Sequence, residues 1–310
     1  MSKRFLAALL SAAALLSIAL TLVGFAAGRT WPAELTTHFR VQYLGGQLVI
    51  GVALAALGYR RWLAALLPAA LLNALLIGPY LLPQPQALGA AGSTLRLMTV
   101  NLAARNHTFD GLLNMVAREN PDVILLLEYT PWAQVALAPL HATYRHSTES
   151  VQADPFGIAL FSRKPLADLR TFALGETLAV DARFDGPGGP VRLLGVHLLP
   201  PTTAAWFHLR NAQLDQLAAM ARGRQEPIVV LGDFNLSPYS PFFRGLLEAA
   251  HLEDTLAGRG LDFSWPSFFP PLGVPIDHCI VSPEFAVLAR RRLENFGSDH
   301  LPLLIELSQD

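Results

Sequence analysis

The chain has 310 residues, enough for one large domain and an accessory segment, and 52% of its residues are hydrophobic. This fraction is high for a soluble protein, and the excess lies in the first 82 residues. Residues 90–310 carry 17 Arg and Lys against 23 Asp and Glu, so their composition does not indicate a dedicated binder of nucleic-acid backbones. The single cysteine, Cys279, excludes an internal disulfide and a zinc site built on cysteine pairs.

Three uncharged stretches near the N-terminus are each long enough to cross a bilayer as a helix. They cover residues 5–28, 41–59 and 62–82, and we predict a membrane region over residues 1–82. The first stretch also fits a cleavable signal peptide, since Lys3 and Arg4 precede an apolar run that ends in small residues. The length of that run and the two stretches behind it favour an uncleaved helix. Amides in the later stretches fit a hairpin in which side chains hydrogen-bond across helices: Gln42, Gln47 and Asn73.

Basic residues predict how this membrane region is oriented. Lys3 and Arg4 precede the first stretch, and Arg60 and Arg61 separate the second from the third. Because loops rich in Lys and Arg stay in the cytoplasm, we expect everything beyond residue 82 to lie outside it. The predicted protein is a multi-pass protein of the cell (inner) membrane whose C-terminal part is extracytoplasmic.

Residues 83–94 are rich in Pro, Gly and Ala and predict a linker, which leaves residues 95–310 as a separate catalytic domain. Short apolar runs predict buried strands there, and helices are predicted over residues 109–119, 204–222 and 239–250. On the second of these helices, four residues are expected to face the sheet: Trp206, Leu209, Leu217 and Met220. The pattern favours an α/β or α+β sandwich with two sheets face to face, helices outside and a site at one edge.

Polar side chains able to bind a metal, bind phosphate or move a proton stand at the ends of several apolar runs. They are Asn101, Glu128, His197, Asp233, Asn235, Asp277, Asp299 and His300. Asp and Asn after a strand are also ordinary turn formers, and a lone histidine is more often structural. The recurrence of the pattern at so many strand ends favours one site built from all of them.

Hard oxygen ligands among these residues predict a site for Mg²⁺ or Mn²⁺. Glu128 would hold the ion, and Asn101 and Asp299 would contribute directly or through water. The metal would neutralise charge that develops on a phosphoryl oxygen or on the leaving group.

The remaining side chains fit the proton and phosphate chemistry of such a site. Asp277 would fix the tautomer of His300 and raise its basicity. Asp233 would orient or deprotonate the attacking water, while Asn235 and His197 would donate hydrogen bonds as negative charge accumulates on the phosphorus centre.

The segment over residues 263–275, FSWPSFFPPLGVP, is aromatic and rich in proline, so it cannot be regular structure throughout. It fits a rim of the site, a surface that touches lipid, or simple loop packing. The three interpretations remain open from the sequence alone.

An ordered set of motifs resembles the endonuclease/exonuclease/phosphatase family, whose fold is that of DNase I. The motifs are PDVILLLE, GIALFSR, VHLLPP, GDFN, PIDHCIVS and GSDHLP, and with Asn101 they span residues 95–307. The resemblance implies a four-layered α/β sandwich and Mg²⁺-dependent hydrolysis of a phosphoester. It implies a metal side (Asn101, Glu128), phosphate binding (His197, Asn235), a residue that positions the nucleophile (Asp233), and a pair that completes the site with Asp299 (Asp277, His300).

More loosely, the chain resembles membrane-anchored bacterial members whose catalytic domain faces outward. This resemblance favours a substrate at the membrane lipid bilayer, namely a lipid-linked or extracytoplasmic phosphoester. An extracytoplasmic nuclease that acts on DNA is an alternative, because metal ions can supply positive charge that the protein lacks. A membrane-bound binding or scaffold protein that lost turnover is a second class, which the substitution Glu128→Ala would separate from an enzyme.

Overall fold

The structure, a computed structural model, describes residues 2–83 and 94–309, so most of the predicted linker lies outside the described residues. The α-helices are α1 (Lys3–Val23), α2 (Trp31–Leu35), α3 (Arg40–Ala56), α4 (Arg61–Leu81), α5 (Asp110–Glu119), α6 (Pro131–Leu137), α7 (Ala204–Arg222) and α8 (Pro241–Ala250). The strands are β1 (Leu95–Asn101), β2 (Val123–Leu127), β3 (His146–Ser150), β4 (Ile158–Ser162), β5 (Ala167–Leu174), β6 (Thr177–Gly186), β7 (Gly189–His197), β8 (Ile228–Asp233), β9 (Glu253–Asp254), β10 (Asp277–Val281), β11 (Phe285–Arg292) and β12 (Leu303–Gln309).

Two mixed sheets of six strands each form the centre of the catalytic domain. Their strand orders are β11-β12-β1-β2-β4-β3 and β5-β6-β7-β8-β10-β9. The pair β1 and β2 is parallel, as is the pair β7 and β8, and the other neighbours are antiparallel. The parallel pairs bring the carboxyl ends of two strands in each sheet to one edge, where a site can assemble.

The predicted four-layered sandwich is confirmed. Fully buried residues of both sheets, such as Leu125, Leu193 and Leu231, form the core between them. A second apolar cluster joins the outer face of the first sheet to α5 and α6, and a third joins the outer face of the second sheet to α7 and α8. Each fully buried Leu stabilises the fold by about 1.5–3 kcal/mol relative to an exposed one. The three apolar clusters therefore stabilise the two sheets whose edge carries the site.

The predicted inner face of α7 is confirmed for Leu217 and Met220 and was wrong for Trp206 and Leu209. Trp206 and Leu209 are each 37% exposed, whereas Phe207, Leu214 and Leu217 are buried against the sheet. The buried positions recur at the three- and four-residue spacing of one helical face. That face also carries buried polar residues, which a count of apolar side chains does not register.

The N-terminal region contains three helices long and apolar enough to cross a membrane: Lys3–Ala26, Trp31–Ala56 and Arg61–Leu81. The predicted bonding of amides across helices is confirmed for two residues. Asn73 Nδ2 donates to Thr21 Oγ1 at 2.9 Å and to Gln47 Oε1 at 3.2 Å. Gln42 instead donates to the Gly273 carbonyl at 2.7 Å, because it lies at the end of the bundle that meets the catalytic domain.

The connection between the first two membrane helices folds compactly rather than as an open loop. It contains α2 and two short 3₁₀ turns, and it lies against the catalytic domain. The carboxylate of Glu34 pairs with the guanidinium of Arg210 on α7 and accepts a hydrogen bond from Ser240 Oγ at 3.1 Å. Both charged side chains are fully buried, so the catalytic domain docks onto the bundle through a desolvated ion pair.

Candidate active site

Strand register places three of the predicted site residues side by side. In the second sheet, His197 of β7 and Asp277 of β10 are the direct neighbours of Asp233 on β8. Gly232 precedes Asp233 with φ +142°, and a Cβ built there would lie 1.9 Å from the Val196 carbonyl oxygen. Only glycine therefore allows β7 and β8 to approach closely enough to set this row of side chains.

The first sheet delivers Asn101 and Glu128 from neighbouring parallel strands. Asn101 is the last residue of β1 and pairs with Leu127, and Glu128 follows directly after β2. The Ala104 amide donates to Glu128 Oε2 at 2.6 Å, and Asn101 Nδ2 donates to Asp233 Oδ2 at 3.2 Å. The second bond connects the two sheets across the site edge.

Asp233 Oδ2 is the centre of the arrangement. It lies 3.7 Å from His197 Nε2 and 3.8 Å from His300 Nε2, beyond direct hydrogen-bonding distance from either ring. His300 Nδ1 lies 2.8 Å from Asp277 Oδ2, and both side chains are buried. The Asp277 carboxylate thus fixes the ring and leaves its Nε2 directed toward Asp233.

The buried carboxylates and histidines shift one another's pKa values. Burial and the charge of Asp277 raise the pKa of Asp233 to about 8. Burial alone would lower the pKa of His300, but the Asp277 carboxylate and its hydrogen bond outweigh burial and raise that pKa to about 10. Burial and the neighbouring His300 lower the pKa of His197 to about 4. Asp233 and Asp277 lie on either side of His300, and their pKa values shift in opposite directions. Burial raises the pKa of Asp233, whereas at Asp277 burial is outweighed by the charge and the hydrogen bond of His300, which lower the pKa. Carboxyl groups whose pKa values are pushed apart in this way are typical of acid–base sites.

Asn235 and Asp299 complete the set of predicted residues. Asn235 Nδ2 donates to the Leu198 carbonyl at 2.8 Å, and the Asn235 amide donates to Asp233 Oδ1 at 2.8 Å. Trp265 Nε1 donates to Asp299 Oδ2 at 3.2 Å. The structure therefore brings all eight predicted residues to one edge of the sandwich.

Two of these residues have strained backbone conformations. Glu128 has φ 57° and Asn235 has φ 49°, in the left-handed region that residues with a Cβ seldom adopt. Glu128 follows five buried residues of β2 and turns back at once, which aims its carboxylate into the site. Strain of this kind is retained where the surrounding structure determines it, and here it coincides with the candidate site.

A cavity of about 460 Å³ opens beside these residues. Its walls include Trp265, Val274 and Ile276, so the segment over residues 263–275 forms part of its rim. Phe268 and Phe269 of the same segment do not line this cavity and are 75% and 47% exposed.

The N-terminal region supplies another wall, which the sequence did not predict. Leu35, His38 and Phe39 line the cavity together with the catalytic residues. The Ser237 amide donates to His38 Nδ1 at 3.1 Å, which fixes this wall to the loop after Asn235. Glu34 was the one sign in the sequence that this region contacts the catalytic domain. It is the only acidic residue among the first 89, and a carboxylate that is buried there needs a partner from elsewhere in the chain.

The chemistry of the cavity fits a bound cation. Glu128, Asp233 and Asp299 line it, and among its lining residues within the described chain there is no Arg or Lys to balance them. Burial also raises the pKa of Glu128, and the hydrogen bond from the Ala104 amide and the charge of His300 offset this rise only in part. Ligand atoms of Asp233, Asp277 and His300 lie within 4.8 Å of one another and could hold a metal ion.

Comparisons with known proteins agree with this geometry. The sequence model of the Endonuclease/Exonuclease/phosphatase family matches residues 98–300. A comparison with curated proteins found no match.

Solved structures share the fold at low sequence identity. The endonuclease/exonuclease/phosphatase from Beutenbergia cavernae DSM 12333 is 22% identical, with a TM-score of 0.57 over 70% of this chain and 72% of the other. D. rerio TDP2 complexed with single strand DNA product is 16% identical, with a TM-score of 0.59 over 70% of this chain and 100% of the other. The human Nocturnin catalytic domain with bound sulfate anion is 19% identical, with a TM-score of 0.54 over 71% and 98%.

Proposed function

Because this chain belongs to the endonuclease/exonuclease/phosphatase family, we propose that this metal-dependent phosphoester hydrolase is anchored in a membrane, uses Mg²⁺ and acts on a lipid-linked phosphate. The observation that carries the proposal is the convergence of carboxylates and histidines in a cavity walled partly by the N-terminal helical region. A cavity that joins perturbed titratable groups to a membrane region is a natural place for such chemistry.

Asn101, Glu128 and Asp299 are the residues we assign to the metal. Their oxygen atoms are the hard ligands that Mg²⁺ or Mn²⁺ prefers, and Glu128 and Asp299 both line the cavity. Asp233, Asp277 and His300 form the other candidate cluster, but the His300 ring is already engaged by Asp277. That engagement suits proton handling better than metal binding. When bound, the ion would neutralise charge on the phosphoryl oxygens.

Asp233 is the group that would accept a proton from the attacking water. Its Oδ2 faces both histidines, and the charge of His300 opposes the rise that burial causes in its pKa, which favours the carboxylate form that accepts a proton. The Asn101 amide, which donates to the same oxygen, would hold the carboxylate in this orientation.

His300, His197 and Asn235 would bind the phosphoryl group. His300 is charged because its pKa is raised to about 10, whereas His197 stays neutral and donates through one N–H. Asn235 has a second amide hydrogen beyond the one that the Leu198 carbonyl accepts. Donors fixed in a buried site stabilise charge more strongly than water does.

The reaction is a hydrolysis in which protons balance. The water oxygen forms a bond to phosphorus, and the bond between phosphorus and the leaving oxygen breaks. Asp233 takes the proton of the water, and the leaving oxygen takes one from His300. Transfer between Asp233 and His300, whose facing atoms lie 3.8 Å apart, then restores both groups.

The position of the site supports a substrate in or near a bilayer. Leu35, His38 and Phe39 lie between α1 and α3, and the Gly260 amide donates to the Tyr80 carbonyl near the end of α4. With Lys3, Arg4 and Arg60 in the cytoplasm, the catalytic domain would face the extracytoplasmic side of the cell membrane.

An extracytoplasmic nuclease is the second candidate. TDP2 from D. rerio, which shares the fold, has been solved with a single strand DNA product. Against this reading, residues 90–310 carry 23 acidic and 17 basic residues, with one lysine among them, so little positive charge is available for a phosphate backbone.

Metal-dependent turnover of a soluble aryl phosphodiester by the full chain in detergent tests the proposal. We expect activity with Mg²⁺, its loss with a chelator, and its recovery on adding Mg²⁺ or Mn²⁺. Glu128→Ala is expected to lower kcat/KM by about a hundredfold or more, and the exposed Glu176→Ala serves as the control. Equal activity of Glu128→Ala and the wild type would exclude the metal assignment, and a folded protein without turnover would favour a binding protein.

A further inference from the structure

Two cavities of different character meet at the metal side of the site. The cavity of about 460 Å³ described above shares Glu128, Pro155 and Asp299 with a second cavity of about 620 Å³ on their other side. The two proposed metal ligands therefore stand on the border between the cavities. A phosphate bound there would place its two substituents in different surroundings.

The first cavity is mainly apolar apart from the catalytic side chains. Its walls are formed by Leu35, Phe39, Phe156, Pro200, Pro201, Trp206, Trp265, Val274 and Ile276. Aromatic and aliphatic walls around a few polar groups are typical of a site for an apolar ligand. Trp206, which faces this cavity from α7, is partly exposed because it belongs to the cavity rather than to the core.

The second cavity is more polar than the first. Besides the shared residues, it is lined by Arg105, Asn106 and His107, with Ala103, Ala104 and Gly297. Asn106 Nδ2 is a buried donor with no partner among the described residues, although its Oδ1 accepts from the Thr108 amide at 3.0 Å. A cation and an unsatisfied amide donor fit a ligand rich in oxygen acceptors.

The apolar cavity is held at the membrane end of the molecule. Leu35 and Phe39 flank His38, which is bonded to the Ser237 amide, and Glu34 beside them is paired with Arg210. The Gln42 amide bonded to the Gly273 carbonyl holds the bundle to the opposite wall of the cavity. A ligand that leaves the hydrocarbon region of a bilayer would meet these residues first.

We propose that the substrate is an amphiphilic phosphoester with its hydrocarbon part in the apolar cavity and an oxygen-rich head group beside Arg105 and Asn106. In this arrangement Leu35 and Phe39, which lie outside the catalytic domain, are specificity-determining residues. The proposal rests on the proposed function, because the phosphate must lie at Glu128 and Asp299 for its substituents to enter the two cavities.

Chain-length dependence tests the apolar half of the proposal. The full chain in mixed micelles is assayed with p-nitrophenyl alkyl phosphodiesters that carry either an ethyl or a hexadecyl chain. We expect wild type to prefer the hexadecyl ester in kcat/KM. Phe39→Ser should lower kcat/KM on that ester by about tenfold and leave the ethyl ester within about twofold, because contact with one aromatic ring is lost.

Phe268→Ser is the matched control, because Phe268 is 75% exposed and does not line the cavity. It should leave both esters unchanged. Equal turnover of both esters by wild type, or an equal loss on both in Phe39→Ser, would overturn the inference and leave the proposed function standing. Absence of Mg²⁺-dependent turnover on either ester would overturn both.

Inhibition by glycerol phosphate tests the polar half. We expect Arg105→Gln to raise the inhibition constant by about fivefold, because a charge-assisted hydrogen bond is lost at a partly exposed site. The exposed Arg145→Gln should not change the constant. Unchanged inhibition in Arg105→Gln would exclude the polar cavity as the head-group site.

Discussion

At the scale of single residues, the site depends on one histidine held between two carboxylates. His300 is bonded to Asp277 through Nδ1 and faces Asp233 through Nε2. In the proposed mechanism Asp277 therefore acts through His300, and we expect neither side chain to function without the other. Residues that act as one unit have effects that do not add.

A double-mutant cycle on this pair tests that view. His300→Gln, Asp277→Asn and the double variant should each lower kcat on a soluble phosphodiester by a similar factor, on the order of a hundredfold or more. The control pair is Asp168→Asn with Arg183→Gln, which removes an exposed ion pair far from the cavity. Additive losses in the double variant of the site pair would show that the two residues act independently.

The candidate site residues could be located from the sequence, because most of them stand at an end of a short apolar run. The Ile228–Asp233 strand delivers Asp233, and the Val123–Leu127 strand delivers Glu128. The distances between them could not be predicted, since they depend on strand register and on the close approach that Gly232 allows. Nor does a local pattern report the left-handed backbone of Glu128 and Asn235.

At the scale of elements, the connection over residues 24–39 links the membrane helices to the active-site cavity. Its sequence has no helical periodicity to detect, because α2 is short and the flanking turns are 3₁₀. Its position follows from a contact between residues 176 positions apart, Glu34 and Arg210, which no helical or strand periodicity reveals. The same long-range ion pair explains the error on the inner face of α7, because Arg210 is buried on that face by its pairing with Glu34.

Breaking this ion pair should loosen the cavity wall. Glu34→Gln leaves Arg210 buried without a countercharge, which costs about 3–5 kcal/mol when one partner of a buried pair is removed. We expect a lower thermal midpoint in detergent and faster hydrogen exchange of the Ser237 amide, which is bonded to His38. Glu294→Gln is the control, because its ion pair with Arg118 is exposed and contributes within about 1 kcal/mol. Unchanged exchange at Ser237 in Glu34→Gln would mean that the ion pair does not fix the wall.

At the scale of the whole molecule, three helices of the N-terminal region are long and apolar enough to cross a bilayer, and in the proposed arrangement the two ends of the bundle lie on its opposite sides. The catalytic domain meets the end formed by residues 24–39 and Tyr80, while the Arg60–Arg61 turn lies at the other. The sandwich could be predicted because its motifs and alternating elements are local. The docking of the sandwich onto the bundle could not be predicted, because it depends on contacts between residues far apart in the sequence.

Fusion reporters test this orientation. A reporter after Asp310 should be active only outside the cytoplasm, whereas one inserted in the turn at Gly58 should be active only inside, since Arg60 and Arg61 follow it. A reporter after Lys3 is the matched control for the cytoplasmic side. Cytoplasmic activity of the fusion at Asp310 would show the opposite orientation and would exclude an extracytoplasmic substrate.

Hydrolysis by the full chain in liposomes tests most directly whether the protein is a metal-dependent phosphoester hydrolase that acts on an amphiphile. The reaction would contain Mg²⁺, a phospholipid and a polyprenyl phosphate ester in the bilayer, and single-stranded and plasmid DNA in solution. We predict release of a head group or phosphate from a lipid, its loss in Glu128→Ala, and no cleavage of DNA. Cleavage of DNA alone would contradict the account and make the protein a membrane-anchored nuclease.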